Sequence, residues 1–232
     1  MNMSYTYEYP HPALTTDCVI FGFDGKQLNV LLIKRGVAPY KDCWALPGGF
    51  MKMDENLDEC ARRELKEETG VEGVRVEQFA TYSDVTRDPR ERVVTTAYFA
   101  LVIKDKYENI KGGDDAAEAK WFKIDSLPPL AFDHERIIKD AHVRLSEKVH
   151  FEAICFEMLG ETFKMSEIQN LYQAILGEKF DRRNFSKKIQ FVKVLELAEE
   201  RPEGLPSRYP SKYKFNKEAY EDLKARTFRV EF

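Results

Sequence analysis

The stretch GGFMKMDENLDECARRELKEETGV, residues 48–71, gathers three carboxylates at the end of a segment with helical signals: Glu64, Glu67 and Glu68. Carboxylates three or four residues apart on a helix repel each other by about 0.2–0.5 kcal/mol per pair. The helix C-terminus also carries partial negative charge, which adds a penalty of about 0.3–1 kcal/mol for acidic residues there. Local rules are most often broken where a functional site needs them broken, so this stretch indicates a site.

The rest of the segment specifies a helix at both of its ends. Asn56 is a favourable N-cap residue, and Glu59 stands three positions later, as in a capping box. Gly70 occupies the position after the last turn, where glycine is favoured. An apolar stripe at helical spacing would bury one face of the helix: Leu57, Cys60, Ala61 and Leu65.

Two interpretations account for the acidic residues. They would form a solvated face if interspersed basic residues softened the repulsion, for example through an Arg63–Glu67 pair at i,i+4. That interpretation leaves the preceding WALPGG, residues 44–49, unexplained, since a proline and two glycines let a backbone turn sharply and approach a ligand. A glycine loop that leads into three carboxylates suits Mg²⁺, which takes oxygen ligands and bridges carboxylates to phosphates.

The stretch resembles the Nudix box at every fixed position: Gly49, five residues, Glu55, seven residues, then RELKEETGV at residues 63–71. The resemblance implies an α/β Nudix sandwich with a mixed sheet, and hydrolysis of a nucleoside diphosphate linked to another group. It implies Mg²⁺ or Mn²⁺ as cofactor, held by Glu64, Glu67, Glu68 and the Gly48 carbonyl. Arg63 would orient these carboxylates and Glu55 would support the loop or the metal waters, which completes the expected catalytic set.

Length and composition allow one large domain or two small ones. The chain has 232 residues, of which 43% are hydrophobic and 12% aromatic, enough for at least one core. A net charge of -4 gives no overall attraction to polyanions or membranes. The four cysteines show neither metal-binding nor disulfide-framework spacing. No signal segment and no apolar run of about 20 residues stands out, so we expect a soluble, cytoplasmic protein.

Residues 1–150 predict a mixed sheet packed with helices. Residues 15–35 predict two strands joined at Asp24-Gly25, a strong hairpin signal. A helix is expected from Asp133 to Lys148, and it is our candidate lever between the site and the rest of the chain. Short strands are expected between these elements, at residues 44–46, 74–81, 93–103 and 119–124. The Nudix domain would therefore occupy residues 1–150 and a second domain residues 151–232.

The second domain is predicted to be a small winged helix-turn-helix. Ser166 is expected to cap a first helix that Gly177 ends, and Asp181 to cap a second helix that starts in DRRNFSKKIQFVKVLEL, residues 181–197. Strands around residues 207–220 would form the wing. The N-terminal half of the second helix carries the side chains expected to contact DNA: Arg182, Arg183, Asn184, Ser186, Lys187 and Lys188.

A basic helix pair of this kind is also typical of a dimerisation or docking module. Residues 179–217 favour DNA, because they hold eleven Lys and Arg against five Asp and Glu, with Tyr209 and Tyr213 among them. The combination is similar to the NrtR-like Nudix-related transcriptional regulators, as are the phrases TRDPRERVVTTAYFAL and LAFDH. The resemblance implies a homodimer on double-stranded DNA that responds to a ligand in the Nudix site.

The ligand implied by this resemblance is ADP-ribose or a related nucleoside diphosphate compound, with a free sugar as the alternative. Arg35 and Arg87 are candidate phosphate contacts or else ordinary surface arginines. Trp44 and Phe132 are candidates to stack on a base or ribose, or else core residues.

The catalytic base is not assigned by the sequence. Three acidic residues lie in a region that would suit one or would equally suit a solvated loop: Asp114, Asp115 and Glu118. Regulatory members of the group often lose acidic positions of the box and only bind their ligand. This sequence retains all of them, which favours hydrolysis over a sensor without turnover.

Overall fold

The computed structural model describes residues 5–107, 110, 116–199 and 210–224. Within these ranges the first part of the chain forms a seven-stranded mixed sheet and two α-helices. The helices are α1 (Leu57–Thr69) and α2 (His134–Lys148). The strands are β1 (Ala13–Phe23), β2 (Leu28–Arg35), β3 (Trp44–Ala45), β4 (Gly48–Phe50), β5 (Val76–Tyr82), β6 (Val93–Ile103) and β7 (Ala116–Lys123).

The sheet is built around β1, which is buried from Thr15 to Phe23. It runs parallel to β6 along its whole length. On its other edge it is antiparallel to β4 near its beginning and to β2 near its end, and β2 pairs in turn with β3 and β7. A strand covered on both faces needs a nearly continuous apolar run, which explains the sequence of β1.

Alternate residues of β1 face different helices. Cys18 and Ile20 share apolar clusters with α1, whereas Val19 and Phe21 share a larger cluster with α2. Successive side chains of a strand point to opposite faces, so this division places one helix on each side of the sheet. The predicted α/β sandwich with a mixed sheet is confirmed.

The helix α1 has the ends that the sequence predicts. The Asn56 side chain accepts a hydrogen bond from the Glu59 N–H at 3.0 Å, and the Glu59 carboxylate accepts one from the Asn56 N–H at 2.9 Å. Gly70 adopts a left-handed conformation with φ of 69°, and its N–H donates to the Lys66 carbonyl. The capping box and the terminal glycine fix where the acidic last turn lies.

The second part of the chain is a winged helix. A 3₁₀ helix, Ala153–Met158, leads into a helix pair and a three-stranded antiparallel sheet in the order β8-β10-β9. No helix in the described ranges is long and apolar enough to cross a membrane. The elements are β8 (Phe163–Lys164), α3 (Met165–Leu176), α4 (Arg182–Phe191), β9 (Leu195–Glu199), β10 (Lys212–Phe215) and α5 (Lys217–Lys224).

Two details of the predicted winged helix were wrong, namely the cap of its first helix and the all-strand wing. Ser166 does not cap α3, because the helix begins one residue earlier and the Lys164 N–H is satisfied by the Glu167 carboxylate at 2.6 Å. The second helix begins after its predicted cap Asp181 and ends at Phe191, before Lys193 takes a positive φ of 57° and the chain enters β9. The wing sequence is part strand and part helix, because the Asn216 side chain caps α5. Tyr209 and its neighbours at 200–209 lie outside the described residues.

The two parts share one apolar core, which continues across residue 150. A single cluster joins Val19 and Phe21 of the sheet, Leu145 of α2, and Leu171 and Phe185 of the winged helix. Polar contacts add to this interface. The carbonyl oxygen of Ile175, near the end of α3, lies 2.8 Å from His142 Nε2 and accepts from Ser146 Oγ at 3.1 Å.

The shared core predicts that damage to the winged helix destabilises the sheet. Leu171→Ala removes a fully buried side chain and should cost about 2–5 kcal/mol of unfolding free energy. Trp44 and Trp121 are the only tryptophans and both lie in the first part of the chain. Urea unfolding followed by their fluorescence should therefore shift to a lower midpoint in this variant.

The matched control is Val143→Ala, a similar truncation of a side chain on α2 that is 58% exposed. We expect it to change the unfolding free energy by less than about 0.5 kcal/mol. An unchanged fluorescence midpoint in Leu171→Ala, together with an earlier loss of helical circular dichroism, would contradict the shared core.

Candidate functional site

The glycine loop is pressed between β1 and α1. Gly48 has a φ of 155°, and a Cβ at this position would collide with the carbonyl oxygen of Thr16. A Cβ at Gly49 would collide with the carboxylate of Glu64. Gly48 therefore allows an approach to the β1 backbone that other residues would prevent, whereas a side chain at Gly49 would displace the Glu64 carboxylate.

Arg63 gathers the acidic residues of the box. Its Nε and Nη2 donate to the Glu55 carboxylate at 2.8 and 2.5 Å. Its Nη1 donates to Glu64 at 2.7 Å and to Glu67 at 3.0 Å, and Nη2 also reaches the Phe50 carbonyl at 3.1 Å. The hydrogen bonds from Arg63 lower the pKa of Glu55 to about 2. One guanidinium thus offsets much of the repulsion among three carboxylates.

Glu68 lies deeper than the other acidic residues of the helix and has a different partner. Its carboxylate accepts a hydrogen bond from the Gly48 N–H at 2.8 Å and is 8% exposed. Burial raises its pKa to about 8, although the Gly48 bond acts in the opposite direction. Burial also raises the pKa of Glu64. The ionised forms of both groups therefore gain from a nearby cation.

The donors of this site suit a hard divalent cation. Within the described residues, no three His, Cys, Asp or Glu side chains already stand in a metal-binding arrangement, and Arg63 instead binds Glu64 and Glu67. Carboxylate oxygens are nevertheless the ligands that Mg²⁺ prefers, and it keeps several waters rather than needing a full protein cage. A cation would also stabilise the ionised Glu68 carboxylate, which burial disfavours. The side chains present therefore fit such an ion.

A buried charge network lies behind the glycine loop. Arg87 donates to both carboxylate oxygens of Asp133, at 3.0 and 2.7 Å, and to Asp17 at 3.2 Å. His134 accepts the N–H of Leu46 on Nδ1 at 2.8 Å, and its Nε2 lies 3.5 Å from Asp17. Burial lowers the pKa of His134, which favours the neutral ring. The network joins β1, the loop and the start of α2.

Cationic and aromatic groups complete the cavity wall. The guanidinium of Arg35 lies 5.0 Å from the centroid of the Phe132 ring, and that of Arg90 lies 5.9 Å away. Arg90 also lies 5.1 Å from the Phe50 ring and is fixed by two hydrogen bonds to Asp88 at 3.0 and 2.7 Å. Guanidinium groups over aromatic faces provide a surface for a ligand that has both phosphates and a planar ring.

The cavity has a volume of about 290 Å³ and contains most of the predicted site residues. Glu67 and Glu55 are not in its lining and connect to it through Arg63. The predicted residues that line the cavity are Gly48, Arg63, Glu64, Glu68, Arg35, Arg87 and Phe132.

Two predicted ligand contacts have other partners in the structure. Trp44 is not in the cavity lining and packs against Phe122, with ring centroids 4.6 Å apart. Arg87 lines the cavity, but its guanidinium binds Asp133 and Asp17. The roles of both residues toward a ligand stay predictions.

The candidate bases remain without a structural role. Asp114 and Asp115 lie outside the described residues. Glu118 is exposed on β7, opposite Lys34, and is not among the residues that line the cavity.

Sequence reasoning missed Asp17, His134 and Arg90. Asp17 had a usable signal, since it is the single charge in a strand that is otherwise uncharged and mostly apolar. His134 ends the quoted phrase LAFDH, but its contact had no local signal, because it meets Leu46 across 88 positions of the chain. Arg90 stands in a stretch rich in charged residues, and nothing in its spacing separates it from a surface arginine.

The helix α4 presents a basic face to solvent. Phe185 and Ile189 are buried, and the Asp181 side chain caps the helix by accepting from two backbone N–H groups at 3.0 and 3.1 Å. Of the six residues predicted to contact DNA, Ser186 is half-buried and the other five are exposed: Arg182, Arg183, Asn184, Lys187 and Lys188. No ion pair within the described ranges engages the four basic members of this set.

The turn between α3 and α4 is held by two glutamine side chains. Gln169 donates to the Phe180 carbonyl at 2.8 Å, and Gln173 accepts from the Phe180 N–H at 3.0 Å. These bonds satisfy both backbone groups of one turn residue and fix the angle at which α4 leaves the core.

Two family models match separate parts of this chain. The NUDIX domain matches residues 11–141, and the NrtR DNA-binding winged helix domain matches residues 155–215. The first match spans the large sheet and all residues that line the cavity, and the second spans the helix pair and all three strands of the small sheet.

The chain is similar to a repressor and to a hydrolase. It is 35% identical to the ADPR responsive transcriptional repressor NtrR of Acinetobacter baylyi, over 90% of this chain and 87% of the relative. It is 45% identical to the ADP-ribose pyrophosphatase of Methanocaldococcus jannaschii, over 57% of this chain and 74% of the relative. Its fold resembles that of Shewanella oneidensis NrtR in complex with a 27mer DNA, with a TM-score of 0.78, 29% identity, and coverage of 94% and 99%.

The burial of Glu68 predicts a pH dependence of stability in the metal-free protein. Its pKa is about 8 in the folded state against an ordinary value of 4.5. The folded state therefore holds a proton that the unfolded state has released, and its stability falls as pH rises between these values. Glu68→Gln removes this loss and keeps an acceptor for the Gly48 N–H, so the variant should be the more stable protein at pH 8, by on the order of 1–3 kcal/mol.

Urea unfolding in EDTA at pH 5, 6.5 and 8 measures this difference. Glu67→Gln is the control, because it removes one charge from the same helix at a side chain that is 39% exposed. It should not reproduce the pH-dependent gain. A difference between wild type and Glu68→Gln that is equal at all three pH values would contradict the burial argument.

Proposed function

Because this chain belongs to the Nudix family and carries an NrtR-type winged helix, we propose that it is a Mg²⁺- or Mn²⁺-dependent hydrolase of ADP-ribose or a related nucleoside diphosphate compound. We propose that the same protein also acts as a ligand-responsive transcriptional regulator. Hydrolases of this family generally use a divalent metal. The observation that carries the proposal is the acidic cluster held by Arg63 beside the glycine loop.

We assign the cation to the carboxylates of Glu64, Glu67 and Glu68 and to the Gly48 carbonyl. A divalent ion bound there supplies Lewis acidity toward the phosphates and lowers the pKa of bound water. The protein contributes orientation. Arg63 directs Glu64 and Glu67, Glu55 holds Arg63 in place, and the Gly48 N–H sets the position of Glu68.

The ligand is proposed to lie against Phe132, with its phosphates near Arg35 and Arg90. These groups line one cavity with Glu64 and Glu68, so a diphosphate would lie between the arginines and the acidic face. The names of two relatives, an ADPR responsive repressor and an ADP-ribose pyrophosphatase, support ADP-ribose as the first compound to test.

A second candidate is a sensor that binds this ligand without turnover. It is supported by the similarity to a repressor over 90% of this chain. The side-chain arrangement also supports it, since Glu64 and Glu67 form ion pairs with Arg63. In the described ranges no three His, Cys, Asp or Glu side chains are arranged to bind a metal ion. A plain hydrolase whose second part serves docking is the third candidate.

We propose that α4 reads double-stranded DNA as part of a homodimer in the cytoplasm. The exposed basic face of α4 supports DNA binding, and a symmetric pair of reading helices suits a palindromic site. The lever would be α2, because its first residues join the charge network of the cavity and its later residues contact Ile175 of α3. A ligand that favours one arrangement of the two parts would then change DNA affinity.

Hydrolysis is tested by release of nucleoside monophosphate from a panel of nucleotide sugars, ADP-ribose included, with Mg²⁺ or Mn²⁺. Glu68→Gln should reduce turnover by at least about 100-fold, since a lost metal ligand costs several kcal/mol of transition-state stabilisation. Glu59→Gln is the matched control, because glutamine also serves at that capping position. If wild type and Glu68→Gln are equally inert while wild type binds ADP-ribose, the sensor is the correct function.

DNA binding is tested by gel shift with the region upstream of the protein's own gene. The double variant Arg182→Ala/Lys187→Ala should weaken binding and reduce the salt dependence by about 0.9 in log–log slope per lost phosphate contact. Hydrolysis should be unchanged. ADP-ribose should alter the shift, and light scattering should give two chains per complex.

The control for the DNA experiment is Arg62→Ala/Lys66→Ala, which removes the same charge from the exposed side of α1. It should leave DNA binding near the wild-type value. Wild-type protein that gives no salt-sensitive shift would instead favour a docking role for the second part of the chain.

A further inference from the structure

The backbone of the glycine loop is held at three successive residues by three different elements. The Leu46 N–H donates to His134 of α2 at 2.8 Å. The Pro47 carbonyl accepts from the Cys18 N–H of β1 at 2.8 Å. The Gly48 N–H donates to Glu68 of α1 at 2.8 Å. The position of Gly48 against Glu68 therefore depends on two anchors immediately before it.

The His134 anchor requires one particular form of its ring. Nδ1 accepts the Leu46 N–H, so in a neutral ring the proton is on Nε2. Nε2 faces Asp17 at 3.5 Å, and Asp17 is itself bound by Arg87. His134 is 3% exposed, and its ring also packs on Phe132 with centroids 5.3 Å apart. Both ring nitrogens thus face groups of the site, and Phe132 packs against the ring.

We propose that His134 is a positioning residue that fixes the Leu46–Gly48 backbone and thereby the Glu68 carboxylate. The proposal rests on the proposed function in one respect, namely that Glu68 is a metal ligand. His134 does not touch the cation site itself, so its effect is transmitted through two peptide units. Outer residues that orient metal ligands typically change metal affinity or activity by about 10–100-fold.

Two amide substitutions of His134 distinguish a positioning role from a role in packing alone. His134→Asn places a carbonyl oxygen near the position of Nδ1 and keeps an acceptor for the Leu46 N–H. His134→Gln is one methylene longer, so its amide reaches toward the position of Nε2 and leaves the near acceptor site empty. The two variants have the same chemistry and neither is charged. A buried residue that only filled space would give no reason for Asn to do better than the larger Gln.

The readout is Mn²⁺ affinity of the full-length protein without substrate, measured from the free Mn²⁺ signal in electron paramagnetic resonance. We expect His134→Asn to bind within about threefold of wild type and His134→Gln to bind about tenfold more weakly or worse. Equal affinity in wild type and His134→Gln, or equal weakening in both variants, would overturn the positioning role. A wild-type protein that binds no Mn²⁺ would instead overturn the proposed metal site and this inference with it.

A second measurement needs no variant and so does not depend on whether the substituted proteins fold. Long-range ¹H–¹⁵N correlation spectra of the wild-type histidine rings report which nitrogen carries the proton. The geometry requires the Nε2–H form for His134. An Nδ1–H form would overturn the proposal, because a protonated Nδ1 cannot accept the Leu46 N–H.

Discussion

The guanidinium of Arg63 is the interaction on which the arrangement of the site depends. An arginine has five N–H donors, and here they reach three glutamates and the Phe50 carbonyl. These partners lie on β4, on the following loop and on α1, so one side chain joins all three. The repulsion between Glu64 and Glu67 is offset because both carboxylates form ion pairs with the Arg63 guanidinium. Glu68 stands outside this set and turns to the Gly48 backbone.

The side chains of β1 contact different parts of the site on the two faces of the sheet. Thr16 and Cys18 face α1, where Cys60 and Ala61 bring the acidic turn close to the loop. Asp17 faces the other side and meets the network at the start of α2. The acidic face and the network are thus separated by the thickness of one strand. Since α2 continues from that network to the Ile175 carbonyl, the cavity and the winged helix are joined by one helix.

Local and continuous features were predictable from the sequence. The capping residues of α1, the hairpin at Asp24-Gly25 and the acidic box all depend on neighbours within a few positions, and all appear in the structure. The contacts within the second layer of the site were not predictable, although Arg87 was a candidate and Asp17 had a signal, because Asp17, Arg87 and His134 meet only after distant parts of the chain have packed. The sequence set no end for α4, because the strand that follows it forms by pairing with β10, which lies farther along the chain.

The energetics of Glu68 connect the choice between hydrolase and sensor to the mechanism of regulation. A site that merely enclosed a sugar would be more stable with a neutral residue at this position, because burial raises the pKa of Glu68 and makes its ionised form costly. A cation would offset that cost, so metal binding and stability of the folded state are linked. The stabilised region includes the loop that His134 anchors, and His134 is the first residue of α2. A ligand whose phosphates bound the same cation would therefore act on the helix that contacts α3. If the proposed hydrolysis occurs, turnover of the ligand would end the state that its binding creates, so hydrolysis and regulation would be compatible.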